Sequence, residues 1–132
     1  MSPGPRGAAW RGDEVEWAAM PVSEGFRAFV LDQLEGLGGV RARAMFGGVG
    51  LYADDLFFGI IAADTLYFKV DDTNRPDYEA AGTSAFKPYP DRPETMAYYQ
   101  VPAGVLEDAD ELVTWARRAC RVAAARRQSK RR

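Results

Sequence analysis

The middle of the chain alternates short apolar runs with turn-forming residues. Asp54-Asp55 and Ala63-Asp64 separate the later runs, and glycines separate the first two, so that four runs occupy residues 40–46, 47–52, 56–62 and 65–70. Apolar runs divided in this way are typical of antiparallel strands joined by tight turns. The pattern therefore predicts a meander over residues 40–70.

The first predicted strand separates two kinds of side chain by strict alternation. Arg41 and Arg43 point to one face, and the small or apolar residues between them point to the other. One face of the sheet is therefore expected to be packed, while the other carries positive charge at this strand. Residues 56–62 are apolar on both faces, which favours a central strand that is covered on both sides.

The segments that flank the meander show helical spacing. The first predicted helix covers residues 23–37, with Ser23 as its cap and Gly38-Gly39 as its end. The last predicted helix covers residues 107 to about 125, with acids at its start and arginines at its end, as the helix dipole favours. Its predicted buried stripe consists of Leu112, Trp115, Ala116, Ala119 and Ala123.

Residues 71–101 connect the meander to the last helix. Residues 71–82 predict a polar connection with a short helix, capped by Asp72 or Thr73, in which Tyr78 points inward. Residues 85–89 and 95–101 predict a second strand pair. Strand hairpins without crossover helices indicate an α+β fold, with an antiparallel sheet whose helices pack on the face away from Arg41 and Arg43.

A chain of 132 residues is expected to form one domain. Residues 1–22 predict a flexible extension because prolines and glycines interrupt them, although Trp10 and Trp17 leave docking on the domain as an alternative. The predicted domain covers residues 23–125, and residues 126–132 predict a basic disordered tail.

The composition removes several chemistries. The chain has no histidine and one cysteine, so an intrachain disulfide, a Cys/His metal site and a histidine base are unavailable. Cys120 is interpreted as a small buried hydrophobe. The pairs Asp54-Asp55 and Asp71-Asp72 fit turn and cap chemistry. We therefore expect no enzymatic activity, no catalytic or metal-binding residue and no cofactor.

Charge is distributed unevenly along the chain. Residues 1–114 contain 9 Lys and Arg against 19 Asp and Glu (9 − 19 = −10), and residues 115–132 contain 8 basic residues and no acid (+8). An acidic body with a basic tail suits nucleic acid or an acidic partner, and a merely solvated terminus is the alternative. No apolar run is long enough to span a membrane and no leader pattern is seen, so a cytoplasmic protein without membrane contact is expected.

The basic residues of the predicted sheet are candidate contacts. We expect Arg41, Arg43, Lys69 and Lys87 to gather on its exposed face with Tyr67, Tyr89 and Tyr98. Such a face is either plainly solvated, a dimer interface, or a surface for nucleic acid or an anionic ligand. The candidate partner or nucleic-acid contacts are Arg41, Arg43, Lys69, Lys87, Arg126, Arg127, Lys130, Arg131 and Arg132.

Several segments carry a family resemblance. Met45-Phe-Gly-Gly-Val-Gly-Leu-Tyr52 resembles the signature of TfoX N-terminal domains, and Leu56-Phe-Phe-Gly, Leu66-Tyr-Phe-Lys69 and the segment ending at Pro102 follow in the family's order. The resemblance covers about residues 23–124. The positions that match the family motif are Met45, Phe46, Gly47, Gly48, Gly50, Tyr52, Tyr67, Lys69, Gly82, Tyr98 and Pro102.

The resemblance implies an α+β domain similar to type III secretion chaperones, which often form homodimers. It also implies a non-enzymatic regulatory or adaptor module, similar to regulators of competence and transcription, that acts through protein contacts. Two alternatives remain open. One is a nucleic-acid-associated protein that uses the Arg-rich tail. The other is a small-ligand module at the glycine loop of residues 47–50, although a structural turn or bulge is the simpler interpretation because no Walker or Rossmann context surrounds it.

Overall fold

A five-stranded antiparallel sheet forms the centre of the protein. The computed structural model describes residues 22–45, 48–87 and 97–131, and in it the strands lie side by side in chain order. The strands are β1 (Val40–Met45), β2 (Gly48–Ala53), β3 (Leu56–Ala62), β4 (Thr65–Lys69) and β5 (Tyr98–Gln100). The predicted meander and the α+β class are confirmed.

The two hairpin turns inside the meander hold four residues in the left-handed region. Asp54 and Asp55 have φ of 51° and 67°, and Ala63 and Asp64 have φ of 52° and 53°. Two central residues with positive φ define the hairpin turn whose twist matches that of the flanking strands. The turn roles that the sequence predicts for these pairs are confirmed.

The helices of the described residues are α1 (Glu24–Gln33), α2 (Arg75–Ala80), α3 (Ala103–Leu106) and α4 (Ala109–Arg131). The Ser23 hydroxyl accepts a hydrogen bond from the Phe26 N–H at 3.1 Å, so the predicted cap of α1 is confirmed. A 3₁₀ turn over Glu35–Leu37 follows, and Gly38 and Gly39 end the segment with positive φ. None of the helices in the described part of the chain has the length and apolarity needed to cross a membrane.

The predicted cap of α2 is wrong. Asn74 precedes the helix, and its side chain accepts a hydrogen bond from the Asp71 N–H (2.9 Å) and donates one to the Lys69 carbonyl (3.1 Å) instead of capping. Asn74 is only 3% exposed, so these bonds satisfy a buried amide and fasten the loop to the end of β4. Tyr78 points inward as predicted.

The last helix differs from its prediction at both ends. It begins at Ala109, where the Asp108 carboxylate accepts hydrogen bonds from the N–H groups of Asp110 and Glu111, and the short helix α3 precedes it. It ends at Arg131, beyond the predicted end near residue 125, so residues 126–131 are helical rather than a disordered tail. The residues of this segment are mostly good helix formers, which explains the continuation.

The predicted second strand pair is confirmed in part, because the backbone of residues 84–86 bonds to that of Tyr98 and Gln100. β5 covers only Tyr98–Gln100 and pairs with β4, and a single bridge joins Ala85 to Tyr99. The prediction over residues 88–96 lies outside the described residues, as do the predicted extension before residue 22 and the docking of its tryptophans.

The sheet is covered on both faces. The main core lies between one face and the helices, where Val30 and Leu34 of α1 and Leu112, Ala116 and Ala119 of α4 pack against strand residues such as Leu51, Phe58 and Phe68. A second cluster of Ile60, Ala62, Phe86 and Tyr98, flanked by Phe57 and Tyr67, lies on the other face. The prediction that residues 56–62 form a central strand covered on both sides is therefore confirmed. The exposed position expected for Tyr98 is wrong, because its side chain is only 3% exposed.

Candidate functional site

The face away from the main core carries two exposed arginines at β1. Arg41 and Arg43 are exposed, and the antiparallel register places them opposite Tyr52 and Gly50 of β2. Opposing residues of an antiparallel pair share a face, so the sheet geometry brings these side chains together. We call Arg41, Arg43 and Tyr52 the β1 rim.

The contacts within the β1 rim leave both arginines available. The Arg41 Nη2 atom lies 2.8 Å from the Asp55 Oδ1 atom, but the two side chains are 64% and 79% exposed. An ion pair this exposed is worth only about 0–1 kcal/mol. The Arg43 guanidinium lies 5.8 Å from the centre of the Tyr52 ring, a cation–π arrangement that orients Arg43 without neutralising its charge.

A row of aromatic rings continues from Tyr52 towards β4. Tyr52 stacks on Phe57 at 5.0 Å between ring centres, and Phe57 packs on Tyr98 at 5.6 Å. The Lys69 Nζ atom lies 4.7 Å from the centre of the Tyr98 ring and donates a hydrogen bond to its Oη atom at 3.3 Å. Packing in this row therefore fixes the Tyr52 ring of the β1 rim.

Tyr67 and Tyr98 stay neutral at physiological pH. Burial raises the pKa of Tyr98, with Tyr52 adding to the rise and Arg126 opposing it. Burial also raises the pKa of Tyr67, against a hydrogen bond with Thr65, and the Tyr67 ring packs on Phe86 at 4.7 Å. These tyrosines act as packing and hydrogen-bonding groups rather than as bases.

The last turns of α4 form a second basic surface with β4. Lys69 and Arg126 line two adjoining clefts of about 250 and 230 Å³, and Arg127 lines one of them. Asp71 lies in the first cleft and Asp55 in the second, which lowers the net positive charge. We call Lys69, Arg126 and Arg127 the basic corner. The side chains of Lys130 and Arg131 and all of Arg132 lie outside the described part of the chain.

The cations that the sequence placed together are separated. Arg41 and Arg43 lie on the edge strand β1, whereas Lys87 is exposed next to the segment that bridges to β5, at the opposite edge of the sheet. Of the predicted aromatic neighbours, Tyr98 contacts Lys69, Tyr67 lies in the second cluster, and Tyr89 is outside the described residues.

The glycine motif is used for close packing of the sheet. A Cβ atom at Gly50 would lie 2.6 Å from the Met45 Cε atom and 3.1 Å from the Phe57 ring. The space beside Gly50 is therefore filled by side chains, and its backbone is paired on both sides, with Arg43 and Ile60. The register irregularity lies in β3 instead, opposite Leu51 and Tyr52. Phe46 and Gly47 lie outside the described residues.

The motif residues converge in a way that the sequence did not show. Met45, Gly50, Tyr52, Tyr67, Lys69 and Tyr98 all lie on the face away from the helices. Gly82 follows α2 with a φ of 79°, and Pro102 caps α3, so these two shape the backbone. Sequence reasoning missed Phe57, which lies at the centre of the aromatic row. It named Arg126 as a candidate contact but did not predict that Arg126 lines the same clefts as Lys69.

The remaining candidate groups have structural explanations. Cys120 is half-buried, and burial, together with Asp54 and against Arg117, raises the pKa of its thiol to about 11. Asp71 accepts hydrogen bonds from Thr73, and Asp72 pairs with Arg75. In the described part of the chain, no three His, Cys, Asp or Glu side chains lie close enough to hold a metal ion.

Comparison with models of known protein families identifies the family of this chain. The family model described as TfoX N-terminal domain matches residues 32–123. A search of curated proteins found no match. The matched segment begins in α1 and ends in α4, so it contains every strand of the sheet.

Proposed function

The chain belongs to the TfoX N-terminal domain family, and we propose that it is a regulatory module that acts through contacts with another protein. The family match supports the regulatory type of module. The observation that supports a contact surface is the β1 rim, where two exposed arginines lie beside an aromatic ring.

The chemistry of the β1 rim suits a protein partner. Arginine and tyrosine are enriched at protein interfaces and among the residues that dominate binding energy. Tyr52 is held by Phe57 and orients Arg43, so little side-chain entropy is lost when a partner binds. We include a homodimer in the proposal, because the family resemblance implies one, and sedimentation of the purified protein measures its mass in solution.

The test is affinity capture from the cells that make this protein, followed by identification of what binds. Wild type is compared with Arg43→Glu and with a matched control, Arg121→Glu, which makes the same charge change on the exposed face of α4. We expect one protein to be captured stoichiometrically by wild type and by the control, and to be lost by Arg43→Glu. Capture that is the same for all three variants would contradict the assignment of the rim, and the absence of any stoichiometric protein would contradict the proposed function.

A specific observation favours nucleic acid as a second candidate. Because α4 continues to Arg131, Arg126 and Arg127 sit on a folded surface beside Lys69 instead of in a tail. If this surface binds phosphates, Arg126→Gln with Arg127→Gln should weaken binding to duplex DNA. Losing two phosphate contacts should also reduce the salt slope of log K by about two. If the variant binds duplex DNA with unchanged affinity and salt slope, this surface is not a nucleic-acid site.

A further inference from the structure

The outer edge of β1 has no neighbouring strand in the part of the chain that the structure describes. β1 pairs with β2 along its whole length, and it ends the strand order of the sheet. Every second residue of such an edge presents an N–H and a C=O group to which another extended segment can bond. We propose that this edge receives an extended acidic strand of the partner protein, with carboxylates beside Arg41 and Arg43. The inference rests on the proposed function and names the chemistry of its partner.

The spacing of the arginines defines the pattern of the incoming strand. Arg41 and Arg43 are two residues apart on one face, and both are exposed. In a paired strand, side chains directly opposite have Cβ atoms about 4.5–5.5 Å apart, and opposite charges at that distance attract. The complementary strand therefore carries acids at two alternate positions. Its other face meets Ala42 and Ala44, which are small and tolerate apolar side chains.

Among the described residues, the contact that competes for this position is weak. Arg41 pairs with Asp55, but both side chains are largely exposed, and the Arg43 guanidinium lies over the face of the Tyr52 ring. An incoming carboxylate can replace Asp55 at Arg41 at little cost. Arg43 can donate hydrogen bonds to a carboxylate while its guanidinium stays over the Tyr52 ring.

A second copy of this chain that pairs across the middle of β1 would bring like charges together. Two β1 strands would meet around a twofold axis, and opposing residues would share a face. With the axis at Ala42, Arg41 of each copy would face Arg43 of the other, and with the axis at Arg41 or Arg43 that residue would face its own copy. Because like charges directly opposite destabilise a strand pair, self-pairing centred on residues 41–43 is disfavoured, whereas an acidic strand is favoured in the same position.

The test measures binding of labelled heptapeptides to the full chain. The acidic probe is Ser-Glu-Val-Glu-Val-Glu-Ser, and the control probe has Lys in place of each Glu. We expect the acidic probe to bind about tenfold or more tightly than the lysine probe, from two favourable cross-strand pairs against two repulsive ones. The Arg41→Glu/Arg43→Glu variant should reverse this preference, and its far-UV circular dichroism shows whether it is folded.

Two N-methylated versions of the acidic probe separate strand addition from simple charge attraction. Methyl groups on the alternate amides that face β1 should abolish binding, and methyl groups on the other set should leave it unchanged. No binding of the acidic probe, equal binding of the two charged probes, an unreversed preference in the variant, or equal effects of the two methylation patterns would each overturn the inference.

The sequence itself contains the complementary pattern at Glu14 and Glu16, which are separated by Val15. A Glu14→Lys/Glu16→Lys variant tests whether these two acids compete with the acidic probe for the edge of β1. Unchanged affinity for the acidic probe supports a strand from another protein, and tighter binding by the variant would overturn that assignment. If capture depends on Arg43 but the probes show no strand signature, this inference fails alone. If the probes behave as expected but no protein is captured, the proposed function fails.

Discussion

Tyr78 has opposite effects on stability through its ring and through its hydroxyl group. Tyr78 is 1% exposed, and its ring packs edge-on against Trp115 at 4.8 Å and near Tyr99 at 5.9 Å. Its Oη atom has no hydrogen-bond partner in the described part of the chain. The ring therefore stabilises the core, while the buried hydroxyl opposes folding because it loses its bonds to water.

We predict that Tyr78→Phe raises the free energy of unfolding by about 1 kcal/mol, because it removes a buried polar atom and keeps the ring. Tyr98→Phe is the matched control, since it removes a hydroxyl that is bonded to Lys69, and it should lower the free energy of unfolding by about 0.5–1.5 kcal/mol. Urea denaturation measures both. A clear loss of stability in Tyr78→Phe would show that its hydroxyl is satisfied in solution.

At the scale of elements, the β3–β4 hairpin carries a local strain that can be relieved. Ala63 adopts a φ of 52° in the turn, a region that costs an ordinary residue about 1–2 kcal/mol and that asparagine tolerates better. The neighbouring Asp64 has a second task, because its carboxylate accepts a hydrogen bond from the Ser23 N–H at 2.7 Å and ties the turn to the start of α1.

We predict that Ala63→Asn raises the free energy of unfolding by about 0.5–1 kcal/mol, since it eases the left-handed backbone and leaves Asp64 in place. Ala28→Asn, on the exposed face of α1, is the control and should lower it by about 0.5 kcal/mol through helix propensity. Thermal denaturation of both variants gives the comparison. Equal losses in the two variants would contradict the left-handed turn.

The elements that the sequence predicted well are those fixed by neighbouring residues. The cap at Ser23 and the two turns of the meander depend on chemistry within a few positions. The first helix ends at Gln33, earlier than predicted, and a 3₁₀ turn lies between it and the glycine pair. The end of α4 and the short β5 could not be predicted in this way. The C-terminal arginines favour a helix as well as a tail, and β5 depends on pairing with the distant strand β4.

The candidate surface was predictable only in part for the same reason. Alternation along β1 correctly placed Arg41 and Arg43 on one face. Their separation from Lys87 depends on the order of the strands, and the row from Tyr52 through Phe57 to Tyr98 depends on contacts between β2, β3 and β5. No local sequence pattern reports such contacts.

The whole molecule should be sensitive to alkaline pH. Burial raises the pKa values of Tyr67, Tyr78 and Tyr98, and that of Cys120 to about 11. In the unfolded chain these groups lose protons at about pH 8.5 for cysteine and about pH 10 for tyrosine. Above those values the unfolded state binds fewer protons than the folded state, so stability falls as pH rises.

We predict that these groups leave the free energy of unfolding unchanged below about pH 8 and lower it steeply above about pH 10, by about 1.4 kcal/mol per pH unit for each phenol that stays neutral in the folded state. Denaturation at a series of pH values measures the fall, and phenolate absorbance follows ionisation. Ionisation of all tyrosines near pH 10 without unfolding would contradict the burial of Tyr78 and Tyr98.

The central claim is that this molecule works through a protein bound at β1, and photo-cross-linking in the cells that make it tests this most directly. Benzoylphenylalanine replaces Ala44, which is exposed on β1 and leaves both arginines intact, or Glu79, which is exposed on α2. We predict one discrete protein adduct from position 44 that disappears when Arg43→Glu is added, and none from position 79. No protein adduct from position 44, or the same adducts from both positions, would contradict the account.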